Sequence, residues 1–126
     1  MNVTRNRALV DMLRNRTNKH FTKALYYSHA HDCPTCTLGH AMFDRCMEAL
    51  GFPQCTDKYT IVRAAEDMNY GVEWFGWTRG QMAVITLDQR LNAAQTADYI
   101  EAELLREALE EAQAMRNALP AVAEFA

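Results

Sequence analysis

The chain has 126 residues, 49% of them hydrophobic and 23% charged, with a formal net charge of −3. These values match an ordinary soluble globular protein, predict a single domain over residues 1–126, and leave room for one hydrophobic core. They exclude a membrane span, because no apolar run approaches the ~18 residues that one needs. The opening Met1-Asn-Val-Thr-Arg5 lacks the apolar stretch of a signal peptide. That points to the cytoplasm, where thiols stay reduced.

Charge is uneven along the chain. Residues 1–31 carry six cations (Arg5, Arg7, Arg14, Arg16, Lys19, Lys23) against Asp11 alone, whereas residues 98–126 carry seven carboxylates against Arg106 and Arg116. Such asymmetry marks either a nucleic-acid-binding end, using Arg5, Arg7, Arg14 and Arg16, or two ends that attract each other within one chain or across a dimer.

The pattern predicts a mainly α fold, a compact bundle of four to five helices with at most a small β element. Residues 3–18 form the first helix, with Ala8, Leu9, Met12 and Leu13 as its apolar stripe and Asn2 or Thr4 as its cap. A break follows at 15–19. Phe21, Ala24, Leu25 and Ser28 suggest a short second helix, although Tyr26 and Tyr27 also suit a strand. Residues 32–37 are turn-like around Pro34. A helix over about 36–50 has Leu38, Ala41, Met42, Cys46, Met47, Ala49 and Leu50 on its apolar face, and Gly51 and Pro53 stop it. Gly39 in its first turn weakens it by up to ~1 kcal/mol, which suggests a close approach by another backbone or a ligand.

Asp57 caps a helix predicted over 58–69, with Tyr59, Ile61, Val62, Ala65 and Met68 inward. Residues 72–81 hold Trp74, Phe75, Gly76, Trp77 and Gly80 without a clear helical period. Residues 82–87 suit a lone strand or a helix start, and Thr86-Leu-Asp-Gln89 fits a capping box, with Asn92 and Thr96 as competing caps. From about 93 to 118 the chain reads as one long helix rich in alanine, leucine and glutamate. Ile100, Leu104, Ala108, Ala112, Met115 and Leu119 form its stripe, which Leu105 and Leu109 widen. The stripe is too broad for a strict coiled-coil seam, so the helix packs on its own domain and leaves surface for a homodimer contact. Pro120 ends it, and residues 119–126 read as a frayed tail.

Chemistry is concentrated in His29-Ala-His-Asp-Cys-Pro-Thr-Cys-Thr-Leu-Gly-His40, which holds three of the four histidines and two of the four cysteines. One reading is a zinc clip. Thiolates and imidazoles bind zinc in fours, and Cys33, Cys36 and His40 offer three ligands, with His29, His31 or Cys55 as the fourth. If Cys36 opens a helix, Cys36 and His40 share a face at i and i+4. A plainer reading treats the cysteines as small buried hydrophobes, above all Cys46, and His20 as a solvated residue.

Tyr27-Ser28, then Cys33-Pro34-Thr35-Cys36, then Leu50-Gly51 resembles the opening of a glutaredoxin over residues 26–52. The resemblance implies a strand feeding a C-P-x-C at a helix N-terminus, and a Cys33 thiolate acting as a thiol–disulfide oxidoreductase. The later proline loop of that fold has no counterpart, since the other prolines are Pro53 and Pro120. Cys36-Thr-Leu-Gly-His-Ala41, Val84-Ile-Thr-Leu-Asp88 and Thr96-Ala-Asp-Tyr-Ile100 are together similar to a family of small uncharacterised phage and bacterial proteins. That family carries a Cys-x-Leu-Gly-x-Ala helix start; His40 stands where it has a small residue, and Thr-Leu-Asp where it has Trp-Asn-Asp. The resemblance implies a compact helical domain of viral or mobile-element origin.

Trp74, Phe75, Trp77 and Arg79 are candidates for a partner-binding patch, or for a seal over the core. No nucleophile elbow, zinc-protease motif or phosphate loop is present in the sequence, which speaks against classical catalysis. The functional expectation is an accessory or regulatory protein-binding module, with thiol redox chemistry and nucleic-acid binding as alternatives.

Overall fold

The computed structural model describes residues 1–23, 26–55 and 70–119. Helix α1 spans Val3–Asn15, and the Asn2 side chain accepts the Arg5 N–H as its cap. Its buried face is Asn6, Leu9, Val10, Met12 and Leu13. The described part of 21–28 is not helical. Instead Tyr27–Ser28 (β1) pairs antiparallel with Cys33–Pro34 (β2), with Tyr27 opposite Pro34 and Ser28 opposite Cys33. The turn between them closes on Asp32 at φ 50, a left-handed conformation that a short polar side chain tolerates, and the Tyr27 hydroxyl donates to Asp32 Oδ1 at 2.8 Å.

The helix expected over 36–50 is two helices, α2 (Thr37–Ala41) and α3 (Arg45–Ala49). The division has a local cause. Asp44 is extended, and its carboxylate accepts the Met47 N–H, so a new helix is capped where the apolar period alone would continue the old one. Re-aiming the chain there also overturns the placement of Cys46 in the core, for Cys46 is exposed. Gly51, at φ +94, ends α3 as expected. The predicted helix 58–69 and its Asp57 cap lie outside the described residues.

Tyr70–Trp74 is a single π-helical turn. Helix α4 then runs over Arg79–Leu87 and settles the strand-or-helix ambiguity. The Thr78 side chain accepts the Gln81 N–H and Gln81 answers the Thr78 N–H, a complete capping box eight residues before the one expected at Thr86. Thr86 sits inside the helix and bonds back to the Met82 carbonyl at 2.6 Å. Helix α5 covers Ala93–Ala118, and Asn92 with Gln95 forms its capping box, so Asn92 prevails over Thr96.

The fold is mainly α, with a two-residue hairpin ladder as the sheet present among the described residues and one long C-terminal helix. No described helix is long and apolar enough to cross a membrane. Helix α1 lies along the first half of α5 in the opposite direction, because Arg14 reaches Asp98 and Glu101 while the Met1 amino group reaches Glu107. The core between them and the shorter elements includes Leu9, Met12, Leu13, Leu38, Met42, Met47, Phe75, Trp77, Ile85 and Ile100.

Candidate functional site

The cysteine–histidine stretch folds as the hairpin followed by α2. Cys36, not Cys33, is the helix cap: its sulfur accepts the Gly39 N–H at 3.3 Å. Burial pushes its thiol up to about 11, the opposite of the activated thiolate that redox chemistry needs. Cys33 lies half-buried on β2, whose partner strand runs antiparallel.

His40 is buried on α2 with both ring nitrogens engaged. Nδ1 donates to the Cys36 carbonyl at 2.9 Å, and Nε2 accepts the Asn18 N–H at 3.3 Å. Burial lowers its pKa, so the neutral ring joins α2 to the chain after α1. A metal ligand needs a free nitrogen lone pair. His40 has none in this arrangement. His29 is exposed on the hairpin turn, its ring 5.8 Å from Tyr27, and His31 stacks on His20 with ring centroids 3.7 Å apart. Among the described residues, no three histidines, cysteines or carboxylates are grouped to hold a metal ion. Cys33, Cys36, His40 and His29 are thus neighbours in sequence whose side chains take different structural tasks.

The aromatic segment is mostly core. Phe75 and Trp77 are buried and stacked, centroids 4.5 Å apart, which corrects their assignment to an exposed partner patch. Trp74 is half-buried, packed edge-on against Phe52 and covered by the Arg5 guanidinium 4.4 Å from its ring. Arg79 remains exposed in the first turn of α4.

The basic N-terminal helix is largely committed within the chain, as the attraction between its two charged ends implies. Arg5 also donates to the Trp74 carbonyl, Arg14 forks onto Asp98 and Glu101, and Arg16 bridges Asp44 and Asp11. Arg7 is the one of the four candidate arginines that is exposed without an ion pair among the described residues.

The feature left over is the outer side of α5. Only Thr96, Ala97 and Ile100 of this 26-residue helix are buried. Leu104 still packs against the core and Glu107 still meets the Met1 amino group, after which the helix is exposed on every side; its outer face carries Leu105, Leu109, Met115 and Leu119 at 60–65% exposure. Those four are among the most exposed large hydrophobic side chains of the described residues. With Ala108 and Ala112 they recur at steps of three and four, so they form one face. At its near end this face runs into a groove of about 860 Å³ along α1 and the first half of α5, lined by residues that include Val3, Arg7, Val10, Leu104, Leu105 and Ala108 together with Arg14, Asp98 and Glu101. The sequence marks Leu105 and Leu109 only as a widening of a core stripe; Val3, which is 49% exposed at the groove, carries no sequence signal because it also fits the start of an ordinary amphipathic helix. No protein-family model, curated protein or solved structure matches this chain.

Proposed function

We propose that the chain is a small protein-binding module that works through the outer face of α5. The observation that carries this is the row Leu105, Leu109, Met115 and Leu119, held exposed on a well-formed helix that is capped at its start. Leaving such side chains in water forfeits about 1.5–3 kcal/mol each relative to full burial, so a surface that covers them binds with a ready driving force. Accessory or regulatory action follows from binding of this kind and needs no reacting group. The exposed face replaces the aromatic segment as the place where a partner docks, since Phe75 and Trp77 are already covered.

Site-specific photo-crosslinking tests the reading. A photoreactive phenylalanine analogue at Leu109 or Met115, introduced into the chain in its own cells, is expected to give a discrete protein adduct. The same analogue at Ala114, exposed on the opposite side of the helix from Leu105 and Ala112, is expected to give little. Equal adducts from both sides, or none from either, would sink the proposal.

A further inference from the structure

We infer that the occupant of this face is a second copy of the same chain, its α5 antiparallel to the first with Ala108 opposite Ala108. The inference rests on α5 being an interaction surface and adds the partner and the register.

Two unfilled surfaces adjoin on each chain: the groove beside the first half of α5, and the projecting second half. An antiparallel pair lays each projecting half over the other chain's groove, so one self-complementary two-fold contact covers both. The segment from Leu105 to Leu119 is about 21 Å long at 1.5 Å per residue, the reach such an overlap needs.

Charge selects direction and register. Six carboxylates (Asp98, Glu101, Glu103, Glu107, Glu110, Glu111) occupy the first three-quarters of α5, with Arg106 among them paired to Glu103 and Glu110 in its own helix, and Arg116 follows them. A parallel pair would set the outward-facing acids against their own copies, whereas an antiparallel pair brings Arg116 beside the partner's Asp98 and Glu101. The position of α1 adds a second match. Arg14 lies level with Asp98 and Glu101, and Met1 with Glu107, so Arg7 falls near the level of Leu104. With Ala108 on the axis, the partner's Glu111 and Ala112 arrive at that level. Arg7 and Glu111 are each exposed and have no ion pair among the described residues. The arrangement pairs Arg7 with the partner's Glu111 twice, once on each side of the axis. Small Ala108 lets the helices approach closely on the axis, Leu105 and Leu109 pack on either side of it, and Leu119 packs at each end.

Sedimentation equilibrium of the purified chain, which weighs 14.4 kDa, tests the inference. A dimer mass is expected. Arg7→Glu alone and Glu111→Arg alone are each expected to weaken association roughly tenfold or more, since like charges then face each other. Combining R7E with E111R is expected to restore it to near the original value. Both sites are on the surface, so circular dichroism should be unchanged in all three variants. A parallel dimer would ignore Arg7→Glu, and that result would overturn the register. A monomer at about 100 μM, a weak limit for specific association, would overturn the second copy altogether. If Leu109 then still crosslinks to one different protein, the binding reading survives without this inference; if it crosslinks to nothing, both fall.

Discussion

Asn6 and Trp77 lock the first helix to the segment before α4. The Trp77 indole donates to Asn6 Oδ1 at 2.6 Å, while Asn6 Nδ2 donates to the carbonyls of Phe75 and Asn2 at 2.8 and 2.7 Å. Asn6 is fully buried, yet every polar atom of its amide is used. Asn6→Leu keeps the volume and orphans the Trp77 N–H; Phe75 O retains the Asn2 N–H. A loss of about 1–3 kcal/mol is expected in urea denaturation. Pairing N6L with Trp77→Phe removes the orphaned donor, so the double variant should be less destabilised than the two single losses added together. Strict additivity would show that the bond carries no coupling.

Gly39 answers a question its sequence position raises. A Cβ there would sit 2.1 Å from the Tyr26 carbonyl oxygen, which also accepts the Thr35 N–H. Helix propensity alone favours Gly39→Ala by up to ~1 kcal/mol. The clash is with backbone and cannot be relieved by a rotamer change. The variant is therefore expected to lose about 1–3 kcal/mol. A melting temperature equal to or above that of the parent would show that the hairpin moves freely away from α2.

What was legible in the sequence follows from which physics is local. Helix α5 is legible at its observed bounds because propensity and period agree within one segment, while the choice of Asn92 over Thr96 as its cap is made only in the fold. The division at Asp44 is not legible, because an N-cap inside an apolar period is visible only once the chain turns there. Cys46 illustrates the consequence: its periodicity was right for a continuous helix and wrong for the re-aimed one. The density of cysteine and histidine at 29–40 suggests a metal, but the directions of His40 and Cys36 are set by Asn18 and by α2's own backbone. Asn6 carries no polar signal of its own, since it occupies a core position of an amphipathic helix.

The thiols should separate by exposure. Cys46 is exposed and Cys33 half-buried, whereas Cys36 and Cys55 are buried, with Cys55 Sγ 3.5 Å from Met42 Sδ. With a colorimetric disulfide reagent at neutral pH, Cys46 is expected to react first and Cys33 more slowly. The other two should react only on unfolding. A chelator should leave both these rates and the melting temperature unchanged, as His40 has no free nitrogen. If chelator speeds Cys33 or lowers the melting temperature, a zinc clip of Cys33, Cys36 and further ligands regains its place.

The surface of α5 predicts a different pattern. Leu109 and Met115 are more than 60% exposed, so Leu109→Lys with Met115→Lys should change the stability of a single chain by less than about 0.5 kcal/mol each. Leu104 packs against the core, and Leu104→Lys should be far more harmful. Thermal melts at low protein concentration compare them. A large loss from L109K and M115K there would mean that these side chains are covered within the single chain.

Lys23 gives the pH dependence a recognisable sign. Its ammonium is buried and donates to the Val84 carbonyl at 2.9 Å, capping the end of α4 beside the Thr37 hydroxyl, which donates to Ile85 O. Burial pulls its pKa down to about 8 from an ordinary value near 10.4. Between those values the unfolded chain holds a proton that the folded chain has released, so this group makes stability rise with pH. Cys36 opposes it. Its thiol, held up to about 11, keeps a proton that the unfolded chain loses from about 9 upward, so its contribution falls with pH. Lys23→Met keeps the apolar stem and removes the charge. Denaturant melts at half-unit steps from pH 7 to 10.5 should show the parent gaining on K23M between about 8 and 10.5, while K23M alone declines above about 9. A constant difference between the two across that range would mean that the buried ammonium does not titrate there, and that the Val84 bond alone accounts for the role of Lys23.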